Sequence, residues 1–124
     1  MSLVDTSVWI GRFLEKDVHH AQAKETLAAL DDETKHVCHA VIEETTTVLC
    51  HKHSKEQADD FLNYILDNEE VVILPHDIDK EATLFRAINT PLSLADVSLI
   101  SLSQRFDIEI ISFDRQLMEV ASGS

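Results

Sequence analysis

Hydrophobic positions along this chain fall into short runs and helical stripes that alternate almost without pause. Leu3-Val4 reads as a short buried strand. At Asp5-Thr6-Ser7 it gives way to a helix whose Val8, Trp9, Ile10, Phe13 and Leu14 keep helical spacing. A second helix is predicted over 20–30, burying Ala23, Leu27 and Leu30. Val37-Cys38 is a weak strand ahead of a helix over about 40–51. Ser54-Lys55-Glu56-Gln57 is a capping box, and the helix it opens places Ala58, Phe61, Leu62 and Ile65 on one face. Val71-Val72-Ile73-Leu74, stopped by Pro75, is the clearest strand. An amphipathic helix over 77–88, another over about 93–105, a strand over 108–113 and a terminal helix over 114–120 complete the pattern.

Single apolar runs for strands, separated by pairs of helices, place the chain in the α/β class. The expected architecture is three-layered, with a short, mainly parallel sheet of four or five strands flanked by helices on both faces. Right-handed crossovers bring the carboxyl ends of such strands to one edge. At 124 residues the chain is one domain, 1–124, able to bury about two-thirds of its unfolded surface. Two glycines and two prolines leave little room for linkers, and no internal repeat is present.

Four acids stand where a strand ends or a helix begins: Asp5, Glu44, Asp96 and Asp114. Carboxylates gathered at the edge beyond the strand ends would offer hard oxygen ligands to a divalent cation, the setting for phosphodiester hydrolysis. Each acid also has a local reading. Asp5 and Asp114 sit where a helix N-cap is expected. Ser93-x-x-Asp96 matches a capping box. Of the adjacent glutamates, Glu43 points away from the apolar face set by Val41, Ile42, Thr45, Val48 and Leu49. Glu44 lies on its border, about 100° from the centre, and is the better site candidate. Independent caps have no reason to share one edge, so the four together weigh more than any one.

A net charge of −13, from 23 acids against 10 bases, argues against a broad basic surface for nucleic acid. Bound metal and a few local cations would have to overcome that repulsion; Arg12, Lys52, Lys55 and Arg115 are candidates for backbone contacts. Acidic runs such as Asp31-Asp32-Glu33 and Asp59-Asp60 read as solvated faces. Cys38 and Cys50 make no disulfide framework, and the cluster of His36, Cys38, His39, Cys50, His51 and His53 lacks the tight spacing of a zinc knuckle. No secretory signal and no apolar run of membrane-spanning length is apparent, so the chain is expected to be cytoplasmic. A response-regulator receiver is disfavoured by a single Asp5 after the first strand and by the lack of any lysine beyond Lys80.

Leu3-Val4-Asp5-Thr6-Ser7, Ala40-Val41-Ile42-Glu43-Glu44 with Val48-Leu49 following, Leu92-Ser93-Leu94-Ala95-Asp96 and Ser112-Phe113-Asp114-Arg115 together resemble the ordered motifs of PIN-domain ribonucleases, most closely the small VapC-type toxins of toxin–antitoxin modules. The resemblance covers the whole chain. It implies an acidic pocket binding Mg²⁺ or Mn²⁺ and endonucleolytic cleavage of RNA, often transfer RNA or another structured RNA. Asp5, Glu44, Asp96 and Asp114 take the family's acidic positions, as catalytic residues and metal ligands. Thr6, Ser7 and Ser112 become hydroxyls that orient ligands or water, and Arg115 and Arg12 contacts for phosphate. A cognate antitoxin protein and a homodimer are the implied partners. Gln116 departs from members that carry a further acid there. The alternative within the same fold is a non-catalytic scaffold that only binds a partner.

Overall fold

A computed structural model of the chain describes residues 1–123. Four strands and seven helices follow one another as β1 (Ser2–Val4), α1 (Thr6–Phe13), α2 (His20–Ala29), β2 (Lys35–Cys38), α3 (His39–Lys52), α4 (Lys55–Asp67), β3 (Val71–Leu74), α5 (Ile78–Ala87), α6 (Leu94–Phe106), β4 (Glu109–Ile111) and α7 (Arg115–Gly123). The sheet is wholly parallel, in the order β3-β2-β1-β4. After three strands laid down in one direction, the chain crosses back to put β4 on the far side of β1. The order reverses between β1 and β4, and a parallel sheet opens a crevice at such a point, beyond its strand ends. This order differs from the 2-1-3-4-5 arrangement of a receiver.

The two strands flanking this point are three residues long each and pair along their whole length. Leu3 and Val4 are fully buried, and Val4 pairs with Ile111 in register. Asp5 then continues the ladder for one bond, its N–H donating to the Ile111 carbonyl at 3.0 Å, before α1 starts. That register sets Asp5 beside Ser112.

Helix α1 is anchored by aromatic packing. Trp9 lies against Phe61 and Tyr64, with ring centroids 5.7 and 5.8 Å away, and Phe13 meets the same two rings at 5.5 and 5.7 Å. Edge-on contacts of this kind hold α1 to α4 by more than area burial alone. On its other side α1 approaches α2 closely through Gly11. A Cβ there would stand 2.9 Å from the Ala23 Cβ and 3.2 Å from the His19 carbonyl oxygen. Gly11→Ala is therefore expected to destabilise the protein by about 1–2 kcal/mol, the overpacking cost exceeding the gain in helix propensity. Urea unfolding checks this; an unchanged midpoint would mean the two helices part freely.

The hydrophobic rank of the strands is inverted relative to their position. β2, weak in sequence, lies between β1 and β3, and all of its residues are buried, Lys35 and His36 included. Lys35 is 1% exposed yet keeps its ammonium near the Glu33 carbonyl at 3.4 Å and a Glu70 carboxylate oxygen at 3.9 Å. β3, the strongest apolar run, is an edge strand with Val72 and Ile73 exposed. Among the described residues, no helix is long and apolar enough to cross a membrane.

Candidate active site

Asp5 occupies the N-cap position of α1, but its side chain does not cap the helix. Only 5% exposed, its carboxylate instead takes two hydroxyl donors on one oxygen: Ser112 Oγ donates to Oδ2 at 2.6 Å and Ser7 Oγ to the same atom at 3.0 Å. Each serine in turn accepts a backbone amide, Phe113 N–H to Ser7 Oγ at 2.9 Å and Asp114 N–H to Ser112 Oγ at 3.0 Å. With both hydroxyl protons committed to Asp5, the 3.3 Å contact between the serine oxygens is a consequence of their convergence. The result is a closed circuit joining the end of β1 to the end of β4. Its 2.6 Å bond has the length of a charge-assisted O–H···O⁻ interaction.

Asp114 uses Oδ1 to accept the Leu117 amide at 3.1 Å, capping the last helix. Asp96 closes the capping box read from sequence. Its amide donates to Ser93 Oγ at 3.1 Å, and its carboxylate is hydrogen-bonded by Ser93 in return. Both local readings thus hold for these two acids, Asp114 using one carboxylate oxygen for its cap and Asp96 taking both the side chain and the backbone of Ser93. Burial pushes the Asp96 carboxyl above the usual aspartate range. The Ser93 hydrogen bonds oppose this, and the negative charges of Asp5 and Asp114 reinforce it. Three aspartates from β1, α6 and the end of β4 therefore share one electrostatic environment at the switch point.

The remaining candidates sit further out. Glu44 is exposed on α3, and its side chain meets no hydrogen-bond or ion-pair partner among the described residues. Its neighbour Glu43, also exposed, has a partner of its own in His39, 3.6 Å away. Thr6 is buried with its hydroxyl unpartnered. Arg115 is exposed at the first turn of α7. Arg12 lies at the far end of α1, about 9 Å along the axis from Thr6, against the Phe13 ring and in a cavity with Glu15, His20, Gln57 and Asp60. Lys55 is ion-paired with Asp59, and Lys52 is exposed. Among the described residues, no three His, Cys, Asp or Glu side chains stand close enough to hold a metal ion.

Two features escaped the sequence reading. His19 stacks on Phe113, ring centroids 5.0 Å apart, which brings the α1–α2 turn against the serine circuit. Glu81, on α5, is a fully buried acid. Its position on the stripe shared with Leu84 and Ile88 was the available signal, since a glutamate on an apolar stripe needs a partner.

A PIN-domain family model matches residues 2–123. The chain belongs to the PIN-domain family. Among solved structures this PIN domain is similar to VapC20 of Mycobacterium tuberculosis, described as a sarcin–ricin loop cleaving toxin. The TM-score is 0.86 at 19% sequence identity, over 97% of this chain and 95% of that one. No curated protein matches the sequence.

For a PIN domain the donor chemistry is coherent. The acids at the switch point are all carboxylates, the ligand type preferred by Mg²⁺ and Mn²⁺ over softer ions. Asp5 fits such a cation best, because two hydroxyls hold one oxygen and leave Oδ1 to another partner. The cysteine–histidine grouping gives no rival site. Cys38 is buried at the start of α3 and Cys50 exposed near its end, about 18 Å apart along the helix. Burial pushes the Cys38 thiol up to about 11, far from a ready thiolate.

Proposed function

We propose that this PIN domain is a metal-dependent endoribonuclease, the toxin of a type II toxin–antitoxin module, hydrolysing phosphodiester bonds in structured RNA. The observation that carries the reading is Asp5: a buried carboxylate in a helix-capping position that leaves the helix uncapped and takes two serine hydroxyls instead. A purely structural acid there would cap α1. Family membership and the likeness to a toxin that cleaves the sarcin–ricin loop support the same reading.

In this reading Asp5, Asp96, Glu44 and Asp114 would hold Mg²⁺ or Mn²⁺. When bound, the cation supplies polarisation of the phosphate and a water acidic enough to attack near neutral pH. The protein's own part is orientation. Ser7 and Ser112 fix the Asp5 carboxylate plane, and the Phe113 and Asp114 amides fix the serines. Ser93 fixes Asp96 at the head of α6, where the helix dipole tolerates a carboxylate. Arg115 is positioned for phosphate only by its place beside Asp114. With a net charge of −13, RNA is attracted locally and not by the surface as a whole. The proposed antitoxin would cover this acidic edge with a basic segment, and a homodimer and a cytoplasmic location belong to the same proposal.

The test is incubation of the purified chain with transfer and ribosomal RNA pools in Mn²⁺, in Mg²⁺ and in EDTA. Discrete fragments that vanish with chelator are expected. Metal that raises the melting temperature without any cleavage would favour the partner-binding scaffold.

A further inference from the structure

The serine circuit joins Asp5 to Asp114 but does nothing for the other two acids, which ride on separate helices. A second polar network lies between those helices. Glu81 of α5 is 1% exposed, and such a carboxylate is costly to bury unless fully hydrogen-bonded. It is: His76 Nδ1 lies 2.8 Å from Oε1 and 3.1 Å from Oε2, the Asp77 amide donates to Oε2 at 3.0 Å, and Ser98 Oγ donates to Oε1 at 2.7 Å. Burial pushes the Glu81 carboxyl up, but the bonds from His76, Ser98 and Asp77 outweigh it and hold the group below the usual range. It is an anion, and the donor facing it on His76 is Nδ1–H.

The other ring nitrogen of His76 has a separate task. The Ala40 amide donates to Nε2 at 3.1 Å. Ala40 is in the first turn of α3, where amides have no partner within the helix. The N-cap residue is Cys38, whose buried thiol lies near the Ala40 and Val41 amides but makes no capping bond of good geometry. His76 therefore caps α3 from outside, with its tautomer fixed by Glu81. Through Ser98 the same carboxylate grips α6, two residues past Asp96. One turn beyond Ala40, α3 carries Glu44. The bridge thus runs from the helix of Glu44 to the helix of Asp96, alongside a cavity of about 260 Å³ between the two helix starts that Glu43 and Ala95 line from either side.

We infer that His76, oriented by Glu81, is a positioning residue that fixes the start of α3, the helix of Glu44, against the start of α6, the helix of Asp96. This rests on the nuclease reading above. A network that served stability alone would have no need of an acceptor for α3, because an apolar pair in place of His76 and Glu81 packs as well or better.

The experiment uses the full chain and Mn²⁺ alone as probe, with binding followed by calorimetry and by loss of the free-ion electron paramagnetic resonance signal. RNA cleavage and thermal melting in EDTA are measured in parallel. His76→Leu removes both bonds and is expected to raise the Kd for Mn²⁺ and lower kcat by about 10–100-fold, the range for groups that orient metal ligands. KM for RNA should stay within about twofold, because on this reading His76 makes no contact with RNA. His76→Gln keeps a side-chain oxygen for the Ala40 amide and should recover affinity to within about threefold of wild type, a rescue that a purely structural role does not require. Glu81→Gln, isosteric, is expected to weaken Mn²⁺ by roughly five- to tenfold, and it keeps the question open to measurement if His76→Leu does not fold. Wild-type affinity in folded His76→Leu or Glu81→Gln overturns the inference, as does a His76→Gln no better than His76→Leu. Wild-type protein that neither binds Mn²⁺ nor cleaves RNA overturns the nuclease reading itself, which separates the two failures.

Discussion

Asp5→Asn and Asp96→Asn are each expected to lower RNA cleavage by about 1,000-fold or more while moving stability differently. A unit charge about 4 Å from a cation at an effective dielectric near 20 is worth roughly 4 kcal/mol, or about three decades in rate. Asn keeps the size of either side chain and an oxygen for its neighbours, so the fold survives. Their surroundings set them apart. Asp5 is held by two hydroxyls that lose a charged acceptor on substitution, so Asp5→Asn should gain no stability.

Asp96 lies half-buried near Asp5 and Asp114 with its pKa raised, burial being the larger cause. An acid with a raised folded pKa keeps its proton in the native state after the unfolded chain has lost it. Between those two values the native state binds more protons, and stability falls as pH rises. Above the folded pKa the loss is complete, so at neutral pH the charge is a liability. Asp96→Asn should therefore raise the melting temperature in EDTA, by about 1–3 °C given the screening at this half-exposed position. It should also flatten the pH dependence of stability on the acid side. A lower melting temperature for Asp96→Asn would mean that its capping role outweighs the repulsion.

The sequence could be read for elements because local signals agree with the fold. Ser54 and Ser93 both cap, each accepting the amide three residues on; the box closes at Ser93, where Asp96 answers, whereas the Ser54 amide donates to the Leu49 carbonyl instead of to Gln57. The three aspartates were legible as positions, since strand ends and helix starts leave marks in sequence, and Asp96 feels the charges of Asp5 and Asp114. Partnerships across the sheet were not legible. Ser7 and Ser112 are 105 residues apart and meet only because Val4 pairs with Ile111. β2 was read as half its length because Lys35 and His36 look exposed, whereas strands on both sides enclose them. The His76–Glu81–Ser98 bridge depends on three connections made at once, and nothing in the spacing of those residues announces it. Glu43 and Glu44 are both exposed, and it is Glu43 that pairs with His39 and lines the cavity between the starts of α3 and α6.

Ser112→Ala is expected to have the largest effect of any substitution that leaves all four acids in place. It removes the 2.6 Å donor from a carboxylate that is 5% exposed, and it strands the Asp114 amide that Ser112 accepts. A hydrogen bond to a charged group contributes about 1.5–3 kcal/mol, so the loss in stability should fall in that range. Metal affinity and kcat should fall about 10–100-fold, because the Asp5 carboxylate loses one of the two bonds that fix its plane. Ser7→Ala should act in the same direction and less strongly, its bond to Asp5 being 3.0 Å. The double variant separates a circuit from two independent bonds. Both serines hold the same oxygen, so once either is gone the carboxylate is already free to turn. Its loss in kcat should then be clearly smaller than the product of the single losses, with the coupling read from a double-mutant cycle on Mn²⁺ binding and on unfolding in urea. Strict additivity in both measurements would mean that the serines act on Asp5 separately and that its orientation is set elsewhere.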